Sequence, residues 1–137
     1  KAGLVLTLAT MAVSDLLLSL AYGHQPFGLW SLFTYSGFAA IVLAGSTLRP
    51  SGFSGSMGLV AGGSLFFWVW TNFGIWLTND HGMYPYSLAG LTACYANALP
   101  FLANSFFGDM AWGAVFFLSF QAVRRLAPRY GWAVQGA

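Results

Sequence analysis

The chain has 137 residues, of which 58% are hydrophobic and only 6% charged, and its five bases and three acids leave a net charge of +2. An average soluble domain carries about 25% charged residues, so this composition excludes a water-solvated domain and makes lipid the fitting solvent. The bases form no stripe, which argues against nucleic acid as a partner, and the single cysteine, Cys94, excludes an internal disulfide or a cysteine-based zinc cluster.

The chain opens Lys1-Ala2-Gly3-Leu4 and enters an apolar run at once. It has neither a starting methionine nor the cleavage site and polar mature region that follow a signal peptide. The expectation is a single transmembrane helical domain over residues 1–137, with residues of the full protein preceding Lys1. A spanning helix needs about 20 mostly apolar residues. The first candidate runs from Ala2 to Tyr22, broken only by Asp15 and small hydroxyl residues, and Gly23-His24-Gln25-Pro26 ends it. The second runs from Phe27 to Leu48, before Arg49-Pro50-Ser51-Gly52. The third runs from Gly55 to Leu77, before the polar turn Thr78-Asn79-Asp80-His81-Gly82. The fourth, Tyr86 to Ala103, is shorter and more polar and holds Cys94, Asn97 and Pro100. The fifth runs from Ser105 to Leu126, with Asp109 in its first turns.

Lys and Arg near helix ends favour the cytoplasmic face. With Lys1 inside, the second helix returns Arg49 inside and the third places Asp80 and His81 outside. Five full crossings would then leave Arg124, Arg125 and Arg129 outside, against the rule. If residues 86–103 do not cross, all five bases share the cytoplasmic face. The fold expected is therefore an all-α integral membrane helical bundle with four full spans plus one re-entrant or interfacial segment, and five full spans as the alternative. Pro100 supports the first reading, because proline removes a helix hydrogen bond. Irregular backbone at membrane depth is tolerated where protein buries it or where it lines a cavity.

That topology gathers polar residues in the outer leaflet: Asp15, Asn72, Asp109, His24, Asp80, His81, Cys94, Asn97 and Asn104. Ionisable residues within a membrane are costly and point to function. Each also has a plainer reading. Asp15 can hydrogen-bond a neighbouring helix, and Asp109 can sit at a helix N-terminus favoured by the dipole. His24 and His81 are either solvated loop residues or pigment or metal ligands, and no metal-ligand spacing accompanies them. Cys94 reads as a small buried hydrophobe. Gly58 and Gly62 make a GxxxG step, and Ser36, Ala40 and Ala44 line one face of the second helix. Such small residues let helices approach closely in lipid. They serve packing within the bundle or the docking of a partner protein. Trp30, Tyr22, Tyr84, Tyr86, Trp76 and Trp132 fall near span ends, where an aromatic belt belongs. Phe66, Phe67, Trp68 and Trp70 lie deeper, in the core, against lipid, or stacked on a flat ligand.

One string is more specific than periodicity: Thr71-Asn72-Phe73-Gly74-Ile75-Trp76-Leu77, then Tyr84-Pro85, Gly90-Leu91, Cys94-Tyr95, Pro100-Phe101, Asn104 and Gly108-Asp109. With Ser14-Asp15 upstream, it resembles a family of small, functionally uncharacterised bacterial integral membrane proteins. That family is distantly similar to the S components of energy-coupling-factor vitamin transporters. The resemblance implies six helices with both termini cytoplasmic and an outward-facing ligand pocket. It implies Asn72, Trp76, Tyr84, Cys94, Tyr95, Asn104 and Asp109 as pocket or lid positions, and separate ATPase and coupling subunits.

Two functions follow as expectations. The first is a vitamin-like small-molecule-binding component of an uptake transporter in the bacterial inner membrane, with Arg49, Arg124, Arg125 and Arg129 cytoplasmic. The second is an accessory structural subunit of a larger respiratory or photosynthetic membrane complex, contacting lipid, quinone or pigment. No cofactor is required by the sequence. An enzyme is not expected, since the chain has no nucleophile–base pair at useful spacing, no metal motif and no phosphate loop.

Overall fold

The computed structural model describes residues 2–23, 25–79 and 82–126. They form four helices in an up-and-down order: α1 Ala2–Tyr22, α2 Leu29–Leu48, α3 Gly52–Thr78 and α4 Leu88–Leu126. All four are long and apolar enough to cross a membrane. The all-helical fold and the four long apolar helices agree with the sequence.

Local chemistry sets the helix ends. Gly23 takes a positive φ of 73° and donates its N–H to the Ser19 carbonyl at 2.8 Å, the left-handed stop that glycine makes at little steric cost. Ahead of α2, Gly28 is extended, and its N–H donates to Ser31 Oγ at 3.0 Å. Arg49 and Asn79 close α2 and α3 in the left-handed region, and the Asn79 N–H reaches the Ile75 carbonyl at 3.0 Å. Hydroxyl side chains along the spans bond their own backbone, as Thr7 does to Gly3 and Ser14 to Met11. In hydrocarbon no water would satisfy them otherwise.

The separate segment expected over 86–103 does not exist. It is the first part of α4, which runs unbroken through Pro100 for 39 residues, about 58 Å at 1.5 Å per residue. Neither a re-entrant turn nor a fifth crossing forms at this point. Pro100 takes the helix donor from the Ala96 carbonyl, four residues back, yet the helix continues. Beside it Trp68 of α3 donates its indole N–H to the Ala98 carbonyl at 3.0 Å, which braces α4 against α3 without replacing the lost bond.

Each helix packs only on its neighbours in the chain: α1 on α2, α2 on α3, α3 on α4, with no other pairing among the described residues. The result is an open row and not a closed bundle. Contacts at both ends fix the antiparallel order. On α2–α3, Phe33 meets Trp70 at 5.2 Å between ring centres, and Gly45 faces Leu59. On α3–α4, Cys94 meets Asn72 and Phe53 meets Phe117. Even crossings therefore bring Arg49 to the same end as Arg124 and Arg125. Arg129 and Lys1 lie outside the described residues. Beyond Phe117, α4 continues nine residues past the start of α3, about 13 Å, and Arg124 lies 5.7 Å from the Phe120 ring centre.

A single layer has little interior. Among the described residues, Met57, Cys94 and Ala98 are the buried apolar side chains, with Ser31 and Ser64 the buried polar ones. Leu20, Phe101, Phe107 and Phe116 are largely exposed, as befits chains solvated by lipid tails. Close helix contact is made at glycines. A Cβ on Gly74 would overlap the Phe33 ring, and one on Gly37 would come within 2.9 Å of Phe67. Gly58 and Gly62 differ from the packing role first read for them: a Cβ on either meets nothing within 4 Å. Together with Ala40 and Ala44 they line an apolar groove of about 550 Å³ between α2 and α3 at the arginine end. The close approach goes instead to Gly63 against Ile41 and Gly113 against Val60. Ser36 does pack, accepting the Trp70 indole N–H at 2.9 Å.

Candidate functional site

The part of the diagnostic string from Asn72 to Tyr95 comes together where α3 turns into α4, held by hydrogen bonds across the turn. The Asn72 amide donates to the Trp68 carbonyl of its own helix at 2.8 Å, while its backbone carbonyl accepts the Cys94 thiol at 3.4 Å. Cys94 is 2% exposed, a small buried side chain between two helices. Tyr95 donates its hydroxyl to the Val69 carbonyl at 2.8 Å and packs its ring 5.2 Å from Trp68. From the last turn of α3, Trp76 donates its indole N–H to the Pro85 carbonyl of the connecting loop at 3.1 Å. The Tyr84 N–H donates to Asn79 Oδ1 at 3.2 Å, and Asn97 donates to the Tyr84 hydroxyl at 3.3 Å. Gly90 is obligatory in this turn, because a Cβ there would collide with the Pro85 carbonyl oxygen. Asn72, Trp76, Tyr84, Cys94 and Tyr95 thus form a seam that staples α4 to α3, with the polar side-chain atoms of all but Tyr84 turned onto backbone.

Asn104 and Asp109 are not part of that group. Asp109 was expected in the first turns of a helix starting at Ser105. Because α4 starts at Leu88, it lies fifteen positions past Cys94, about 22 Å along the axis. That depth is level with the half of α3 nearer Gly52 and the arginines, and away from Asn72. No helix N-terminus is near it, so the dipole argument does not apply. Asn104, ten positions past Cys94, is exposed on the same helix. His24 and His81 lie outside the described residues. Among the described residues no three His, Cys, Asp or Glu side chains lie close enough to hold a metal ion.

Asp15 hydrogen-bonds a neighbouring helix, the plainer of the two readings the sequence allows, through a partner the sequence does not single out. The Tyr35 hydroxyl of α2 donates to Asp15 Oδ2 at 2.6 Å. Asp15 stands seven residues before the end of α1, and Tyr35 six residues after the start of α2. Counting outward from the intervening turn places both at one depth, a signal the sequence did contain.

Two pockets adjoin at this end of the row, away from the arginines. One, about 350 Å³, lies between α1 and α2 and is lined by Asp15, Leu18, Ser19, Tyr22, Gln25, Pro26 and Trp30. The other, about 340 Å³, lies between α2 and α3 and is lined by Trp30, Thr34, Thr71, Ile75, Thr78, Asn79 and Met83. Trp30, in the first turn of α2, is a wall of both. The Thr71 hydroxyl donates to the Phe67 carbonyl at 2.8 Å and that of Thr34 to the Trp30 carbonyl at 3.4 Å, which leaves their oxygens as acceptors. Asn79 spends its oxygen on the Tyr84 N–H, which leaves its amide protons as donors. Each pocket is at the small end of the range for ligand sites, roughly 300–1,000 Å³. The threonines and Trp30 carry no distinctive spacing, so only the folded arrangement reveals them.

No curated protein and no solved structure matches the chain. A family model matches residues 1–130. The chain belongs to that family, the family of unknown function DUF6580.

Proposed function

We propose that the protein is the small-molecule-binding membrane component of an uptake system, taking its ligand in the paired pockets that meet at Trp30. The observation that carries this reading is their position and lining. Both open at the end of the row opposite Arg49, Arg124 and Arg125, and both combine aromatic walls with a few polar atoms. With the arginines cytoplasmic, as charge bias favours, and the membrane a bacterial inner membrane, that end faces outward. The distant similarity to S components expected for the family would fit this reading, and the residues of the string then serve to hold the α3–α4 frame beside the pocket. Transport would need partner subunits that supply ATP hydrolysis and coupling. Native mass spectrometry of protein extracted gently from its own membrane tests the proposal. Retention of one small molecule on the chain, lost in Trp30→Ala and Thr71→Val variants, supports it. A chain that carries no molecule other than bulk lipid sinks it.

A second reading rests on the open row. Four helices with so few buried side chains offer wide apolar faces that other helices would cover. An accessory subunit of a larger respiratory or photosynthetic complex, in contact with lipid, quinone or pigment, would have such faces. Co-purification in a large coloured assembly would establish that role in place of the first.

A further inference from the structure

The pocket between α1 and α2 has a feature the α2–α3 cleft lacks: an ionisable side chain in its wall. Asp15 lies within α1, about 10 Å from the helix end by its seven-residue offset, and it lines the pocket. A carboxylate at such depth needs a counter-charge or a proton. The described bases Arg49, Arg124 and Arg125 all stand at the opposite end of the row. Asp15 forms no ion pair among the described residues; its hydrogen bond is from a neutral phenol, Tyr35 at 2.6 Å. That bond occupies one side of Oδ2 and fixes the carboxylate, while an ionised carboxylate has about four acceptor positions in all. Two aromatic residues, Tyr22 and Trp30, share the wall with it, and ring faces attract cations, tryptophan most strongly. The volume, about 350 Å³, is far larger than a bare metal ion fills and suits an organic group.

We propose that this pocket binds an organic ammonium ion, with Asp15 as its counter-charge and Tyr22 and Trp30 as its cation–π walls. The proposal rests on the small-molecule-binding reading and names the ligand's chemical class. A soluble amine and the headgroup of an aminophospholipid share this chemistry, and the experiment separates them.

The test is calorimetric titration of delipidated protein in maltoside detergent with two probes of one shape. Choline carries the quaternary ammonium, and 3,3-dimethyl-1-butanol replaces its nitrogen by carbon. Choline binds saturably and its neutral isostere about tenfold more weakly or worse, the effect of a cation–π and charge contribution above 1.4 kcal/mol. Asp15→Asn keeps an oxygen for Tyr35 and removes the charge; it lowers choline affinity by a similar factor without losing the thermal transition. Tyr22→Leu, at a largely exposed position, lowers it by a smaller factor. Repeating the titration in nanodiscs of phosphatidylglycerol, with and without phosphatidylethanolamine, identifies the source. Competition by the aminophospholipid assigns the lipid headgroup, and no competition assigns a soluble amine. Equal affinity for both probes, or unchanged choline affinity in Asp15→Asn, overturns the proposal. If the isostere binds as tightly as choline and Thr71→Val weakens both, small-molecule binding stands and the charge assignment alone falls. If neither probe binds and the protein carries no small molecule from its own membrane, both readings fall.

Discussion

Gly74 and Gly58 lie on the same helix and respond oppositely to one added methyl group. At Gly74 the new Cβ overlaps Cγ and Cβ of Phe33, atoms close to the α2 backbone that cannot swing aside. Overpacking of this kind costs roughly 1–3 kcal/mol, against a gain of up to about 1 kcal/mol in helix propensity. Gly74→Ala therefore lowers the thermal midpoint in detergent. At Gly58 the Cβ meets open space, so Gly58→Ala keeps the midpoint or raises it. A fall at Gly58 as large as at Gly74 would mean that the groove it lines is closed in solution. The GxxxG spacing identified Gly58 and Gly62 as packing residues because spacing cannot say which face of a helix meets a neighbour. In an open row each helix has a free face, and theirs is one. Asp15 shows the converse: its depth was legible from residue counting, but its bond to Tyr35 needed the antiparallel turn to be in place.

The seam between α3 and α4 is the element-scale feature on which the family string converges. Asn79 serves it twice, by taking a left-handed conformation with φ of 44° and by accepting the Tyr84 N–H. Residues other than glycine pay roughly 1–2 kcal/mol in that region, and asparagine is among the few that visit it routinely. Asn79→Gly removes the acceptor alone, whereas Asn79→Ala removes it and adds the strain. The alanine variant should unfold at a lower temperature than the glycine variant, by about 1 kcal/mol in stability. Trp68→Phe keeps a ring beside Tyr95 and deletes the donor to Ala98. Measured polar contacts between membrane helices average about 0.6 kcal/mol and reach about 1.7, so a loss in that range is expected in equilibrium unfolding. The sequence misled at this scale through Pro100. A short, more polar stretch with a proline in it reads as a segment apart from the helix that follows, and the packing of α4 along α3 that carries the helix through is something no local pattern displays. That single misreading also displaced Asp109, whose assigned depth followed from a helix start at Ser105.

At the scale of the molecule, the count of crossings decides which side every loop faces. Five apolar segments were legible, but joining two of them into α4 leaves four helices, so Arg49 and the Arg124–Arg125 pair come to one end. The preference for a shared arginine side was reached from charge bias alone. The structure arrives at it through a different chain path, a continuous helix in place of a re-entrant segment. Cysteine accessibility tests the arrangement directly. Cys94 is buried and hydrogen-bonded only weakly through sulfur, so Cys94→Ala supplies a background without a native thiol. Gln25 and Met83 are exposed in the two turns at the pocket end, and Ser51 and Val123 are exposed at the arginine end. In intact cells a membrane-impermeant maleimide should label Gln25→Cys and Met83→Cys together and leave Ser51→Cys and Val123→Cys unlabelled until the membrane is opened. Labelling of Val123→Cys alongside Met83→Cys would mean an even number of crossings after the third helix, none or two, where a single α4 supplies one. Labelling of the Ser51 and Val123 variants alone would keep the four-helix row but invert it. The pockets at Trp30 would then face the cytoplasm, and uptake from outside could not be their purpose.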